Sequence, residues 1–165
     1  MLRRGREDEH AAPGTQRVLV VNDEPDACEL LVRILRAAPA RYEVDRAGDQ
    51  ISLTERLVAD PPVDCVVVDV TTGGIGGGLK LLDAVRNSLD PHIAALPVVL
   101  VAPSTSSAMF SWQAGVDELL VRPFHARDLV AAVGAAINRS EDERPRHRRR
   151  ALDAAKIAPR GGGRS

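Results

Sequence analysis

Aromatic side chains are nearly missing from this 165-residue chain, which has one Trp, one Tyr and two Phe. Its core must therefore be aliphatic, built from Val, Leu, Ile and Ala, and the 44% hydrophobic content is enough to supply one. Cysteine is scarce as well. Cys28 and Cys65 fall in a predicted helix and a predicted strand, at a spacing that suits neither a zinc site nor a redox pair, so both are expected to be buried, inert thiols. The four histidines, at 10, 92, 125 and 147, show neither metal-ligand nor triad spacing. No apolar run approaches membrane-spanning length, and the N-terminus lacks the apolar stretch of a signal peptide. These absences argue against a disulfide scaffold, a zinc module and a membrane protein. They point to a soluble, cytoplasmic chain. With no nucleophile, base and orienting group in any recognisable pattern, an enzyme is not expected.

The formal net charge of -1 conceals an uneven distribution. Residues 1–16 balance three arginines against three acids and are expected to be a disordered tail. Residues 140–165 carry eight basic side chains against four acids, including the run Arg146 to Arg150, and are also expected to be disordered, with a brief helix over 151–158 as an option. One acidic domain over 17–139 lies between them.

That domain alternates strand and helix five times. Val18 to Val21 is a short apolar strand, and Pro25 opens a helix whose Ala27, Leu30, Leu31, Ile34 and Leu35 share one face. Residues 42–47 alternate as an edge strand, and a second helix over 51–59 stops at Pro61 and Pro62. Cys65 to Val68 is an unbroken β-branched run, suited to a strand covered on both faces, and it ends in Asp69. A third helix opens at Leu79. Strand 97–102, helix 103–114, strand 118–121 and helix 128–137 follow. The connections leave room only for crossover helices, so the expected fold is a doubly wound α/β protein with a parallel sheet.

The first, third and fifth strands end in Asn22-Asp23, Asp69 and Arg122. A carboxylate among valines is costly to bury, which places Asp69 at an exposed strand tip, where a parallel sheet opens into its crevice. In a flavodoxin-like order, Asp23 and Asp69 become neighbours. Two close carboxylates call for a cation, and Mg²⁺ needs only one or two carboxylates plus water. An arginine nearby suits a phosphoryl group.

Here the chain resembles the response-regulator receiver domain of two-component signalling. The resemblance rests on Val20 to Pro25, on Asp64 to Asp69, and on Gly115 to Phe124. It implies a flavodoxin-like five-stranded sheet in the order 2-1-3-4-5, phosphoryl transfer from a histidine kinase or phosphotransfer protein to Asp69, and Mg²⁺ held by Asp23, Asp69 and the Thr71 carbonyl. It also implies a cis bond between Arg122 and Pro123, and an output surface on the helix after the fourth strand, the last strand and the last helix of the domain.

Several positions depart from the family pattern. Asn22 stands where an acid is usual, leaving an amide to reach the metal through water. Ala102 replaces the usual Ser or Thr and removes a hydroxyl donor worth about 1.5–3 kcal/mol to an anion. Arg122 replaces a lysine, exchanging a point charge for a planar fork. Leu119 takes the place of the switching aromatic, and the loop Gly73 to Gly78 lacks the usual Pro and is one residue longer.

Two readings follow. The first is a stand-alone phospho-accepting regulator that acts by protein–protein contact on an unknown output protein. The second is a phosphorylation-independent binding module that keeps Asp69 as a relic. A nucleotide-binding reading of the glycine loop fails, because Leu79 follows Gly78 where a P-loop needs Lys and then Ser or Thr. Nucleic acid is not expected as a partner: the basic tail carries no aromatic for base stacking, and the residues after Ser140 are too few for a helix-turn-helix. Ser104 to Ser107 are expected to cap a helix, Gly73 to Gly78 to form a surface loop, and Trp112 to be exposed.

Overall fold

A computed structural model describes residues 14–158; the expected N-terminal tail lies almost wholly outside them. Five parallel strands form one sheet: β1 (Arg17–Val21), β2 (Glu43–Ala47), β3 (Cys65–Asp69), β4 (Val98–Ala102) and β5 (Glu118–Val121). Their spatial order is β2-β1-β3-β4-β5. The middle strands are apolar at nearly every position because helices cover both faces, and every residue of β3 and β4 is buried.

Alternate side chains sort into two cores, one on each face of the sheet. Val18, Val20, Val67, Val99 and Val101 pack against α1 (Pro25–Arg36) and α6 (Ala126–Asn138) through Leu31, Leu35, Leu129 and Val133. Leu19, Val21, Val66, Val68 and Leu100 pack on the other face with Leu53 of α2 (Gln50–Val58) and Leu82 of α3 (Gly77–Arg86). Each buried Val or Leu contributes about 1.5–3 kcal/mol relative to its exposed state, so this aliphatic core compensates for the missing aromatics.

Helix starts follow local chemistry. The Glu24 carboxylate accepts from the Ala27 N–H at 2.6 Å ahead of Pro25, and Asp49 accepts from the Ser52 N–H at 2.8 Å at the head of α2. The expected helix after β4 forms as a 3₁₀ turn (Thr105–Ser107), in which Ser104 accepts from the Ser106 N–H, followed by the short α5 (Ala108–Gln113). A one-turn helix, α4 (Pro91–Ala94), has no counterpart in the sequence reading. Both cysteines are buried and free, and burial pushes both thiols up.

Over its described part, the expected disordered C-terminal tail is corrected by α7 (Glu143–Ile157); residues 159–165 lie outside the described residues. Its half-buried residues are Arg144, His147, Arg148, Ala151, Leu152 and Ala155, a helical stripe whose N-terminal half is cationic. Hydrophobic periodicity cannot reveal such a stripe. Pro145 sits in the first turn, where its missing N–H has no cost.

Candidate functional site

The tips of β1 and β3 are adjacent, with Val21 paired to Val68. Asn22 and Asp69 continue those two strands, and the Asn22 amide nitrogen donates to Asp69 Oδ2 at 3.3 Å. Asp69 Oδ1 accepts from the Thr71 N–H at 2.9 Å and from the Thr71 hydroxyl at 2.6 Å. Arg122, just beyond β5, reaches across the crevice and places Nη1 2.8 Å from Asp69 Oδ2. Asn22, Asp69, Thr71 and Arg122 therefore form one cluster.

Asp69 is 2% exposed, which corrects the expectation of an exposed strand tip. The reason is compensation: three hydrogen-bond donors and one guanidinium meet its two oxygens, and a carboxylate so paired tolerates burial. Arg122 is the open side of the cluster, with its side chain about one third exposed.

Asp23 is exposed and turns to the loop after β3, where Oδ2 accepts from the Gly73 N–H at 2.9 Å. Ala102 ends β4 fully buried, one residue past the Val101 that pairs with Asp69. The Arg122–Pro123 peptide is cis. Leu119 is half-buried in the core.

The glycine run is more than a surface loop. Gly76 adopts a positive φ at the N-cap of α3, and Gly77 and Gly78 are buried. A Cβ at Gly77 would stand 1.9 Å from the Thr72 carbonyl oxygen, so only glycine lets α3 start directly under the acid's own loop. Glycine enrichment signalled a special backbone; the close approach itself was not visible in the sequence.

Oxygen donors for a cation are present but engaged. Among the described residues no group of three His, Cys, Asp or Glu side chains could hold a metal. The remaining donors are the carboxylates of Asp23 and Asp69 and the Thr71 carbonyl, which accepts from the Gly74 N–H at 3.0 Å. Asn22 Oδ1 accepts from the Glu24 N–H at 2.9 Å. Two carboxylates and a carbonyl fit a water-rich Mg²⁺ site, provided Asn22 or Arg122 yields Asp69 Oδ2.

A second polar cluster, which the sequence reading missed, lies at the opposite end of the sheet. Asp117, 1% exposed, precedes β5 and accepts from Arg86, Arg144, Arg148 and the Val98 N–H. Burial pushes its carboxyl up, but the Arg144 hydrogen bond and the Arg148 charge outweigh that and hold it below the ordinary value. Burial draws the Arg86 guanidinium down to about 10.

A doubly wound parallel sheet with an arginine-paired carboxylate in its crevice defines the class of protein. The family model of the response regulator receiver domain matches residues 18–134, and the chain belongs to that family. It is 30% identical over 130 residues to the DNA-binding response regulator MtrA of Mycolicibacterium smegmatis, covering 78% of this chain and 53% of that protein. It is 29% identical over 132 residues to the transcriptional regulatory protein BaeR of Escherichia coli, covering 79% and 51%. The chain thus spans about half the length of the curated relatives it matches. The receiver domain of NtrX from Brucella abortus superposes with a TM-score of 0.65 at 27% identity, over 74% of this chain and 99% of that one. The flavodoxin-like order 2-1-3-4-5 is the order observed here. Among the described residues no helix is long and apolar enough to cross a membrane.

Proposed function

We propose that this receiver domain accepts a phosphoryl group on Asp69 from a histidine kinase or phosphotransfer protein and passes the signal on by protein–protein contact. The supporting observation is the buried Asp69 carboxylate, held at the crevice by Thr71 and Asn22 and closed off by Arg122, whose side chain is about one third exposed. In this reading a carboxylate oxygen of Asp69 attacks phosphorus. The P–O bond forms, the P–N bond of the phosphohistidine breaks, and the histidine nitrogen leaves with the electron pair. Arg122 turns from Asp69 to the phosphoryl oxygens, its fork matching their geometry. Asp23, Asp69 and the Thr71 carbonyl would hold Mg²⁺, with Asn22 reaching it through water, and the bound ion would supply positive charge against the phosphoryl oxygens.

A second reading is favoured by the saturation of Asp69 by protein donors and by Ala102 in place of a hydroxyl. Arg122 and Asn22 then stand in for the metal, and the domain binds its partner regardless of phosphorylation.

Intact mass after incubation with Mg²⁺ and a small acyl phosphate separates the two. One added phosphoryl group, absent from Asp69→Ala and lost with chelator, supports the acceptor. No adduct, together with partner binding that survives Asp69→Ala, overturns it in favour of the constitutive module.

A further inference from the structure

The basic C-terminal segment is not used by the site at Asp69, and its placement carries an inference that holds whether or not Asp69 is phosphorylated. Helix α7 lies along α5 and across the entry to β4 and β5. None of its residues is buried, and its attachments are mostly ionic. Arg144 donates to Asp117 and to the Ala95 and Leu96 carbonyls, and Arg148 donates to Asp117 and to the Val116 carbonyl. His147 stands edge-on to Trp112, with ring centroids 5.6 Å apart at 77°, and 3.3 Å from Glu118.

We propose that α7 is an ionic strap, docked in cis over α5 and the start of β5, that lifts as a unit and uncovers an interaction surface there. Three observations carry this. First, Asp117 keeps a counter-charge without the strap: Arg86 at 2.8 Å and the Val98 N–H at 2.9 Å remain on its Oδ2, while Oδ1, held by Arg144 and Arg148, opens to water as α7 leaves. Lifting the strap therefore leaves no buried charge unpaired, the condition that makes breaking most buried ion pairs prohibitive. Second, the contact is imperfect: His147 Nε2 is buried and stands 3.3 Å from Glu118 Oε1 without hydrogen-bond geometry. Third, the helix that carries Trp112 leaves apolar residues open to solvent, with Phe110 64% and Met109 37% exposed, and Met109 lies one turn before Trp112 on the same face. Asp117 and Glu118 together with Trp112 and Met109 suit a basic amphipathic helix, which is the chemistry of α7 itself. A partner segment with arginines four residues apart and an apolar continuation fits once the strap has lifted.

Trp112 is the only tryptophan in the chain, so its fluorescence reports the strap directly. The test uses the full chain, with salt raised from 0.1 to 1 M, where the screening length falls from about 10 to about 3 Å. The expected result is a red shift and at least a twofold rise in acrylamide quenching, well before the domain melts. Arg144→Ala/Arg148→Ala should show the released signal already at low salt while keeping a cooperative melt. Arg146→Ala/Arg149→Ala, which removes equal charge from exposed positions, should behave as the parent chain. A Trp112 signal that changes only with global unfolding overturns the proposal. A salt response that depends on protein concentration also overturns it, assigning the strap to a second copy of the chain.

Discussion

Two aspartates lie buried at opposite ends of the same sheet, Asp69 at the end of β3 and Asp117 before the start of β5, and their surroundings differ in kind. Asp117 meets three guanidiniums and a backbone N–H. Arg86 gives every one of its donors to Asp117 or to the Ala94, Leu96 and Gly115 carbonyls. That is the arrangement of a structural anchor: positive charge is over-supplied, and Arg86, tied to three backbone carbonyls, stays on the acid even when α7 lifts. Asp69 meets a single guanidinium, an amide and one threonine, and its cation is about one third exposed. Equal burial thus conceals opposite roles. The carboxylate whose one counter-ion reaches solvent is the one suited to the proposed chemistry.

Removing each acid is the sharpest way to test that contrast. Asp117→Ala strands Arg86 without its carboxylate and is expected to cost about 3–5 kcal/mol in denaturant unfolding. A loss under 1 kcal/mol would show that the arginines find other partners.

Acid should reproduce part of this effect. The folded Asp117 carboxyl titrates below its unfolded value of about 3.9, so its contribution is complete above that value and fades as pH falls through the folded one. Stability measured from pH 5 downward should therefore drop, and Asp117→Ala should flatten part of that slope.

Ala102→Ser sharpens the other side of the comparison. A hydroxyl at this fully buried position is expected to cost the unmodified protein about 1–3 kcal/mol if it finds no partner. It should also raise the yield of acyl-phosphate labelling by giving the phosphoryl oxygens a donor. Unchanged labelling would show that the missing hydroxyl is not what limits this site.

Asp69→Asn should have the smallest effect on stability, below about 1 kcal/mol, because Arg122 is free to turn to solvent. It should abolish labelling all the same. A large loss would make Asp69 a second anchor and erase the contrast.

Much of this architecture was legible in the chain itself. Apolar runs such as Cys65 to Val68 dictate doubly covered strands, because only a parallel sheet with helices on both faces buries every residue of such a run. The acids and Arg122 at strand ends placed a site in the crevice, and the family motifs named the residues, of which Asn22, Asp69, Thr71 and Arg122 come together in one cluster. Local rules also gave the Ser104 cap.

What the sequence could not give depends on contacts between distant residues. Asp69 read as exposed because its partners come from β1 and from beyond β5, 47 and 53 positions away. Trp112 read as exposed because the helix that covers it carries Arg and His where a packing stripe would show apolar residues; Phe110 is the exposed aromatic instead. The basic run Arg146 to Arg150 read as a solvated tail for the same reason. Charge patterning alone cannot distinguish an arginine facing water from one facing a buried aspartate. The five strands, the crossover helices and the crevice were thus legible from local hydrophobic pattern, and the strand order from the family motifs. Which carboxylate is locked and which is open was decided only in three dimensions, because the compensation of a buried charge depends on whatever side chains the fold brings within about 3 Å of it.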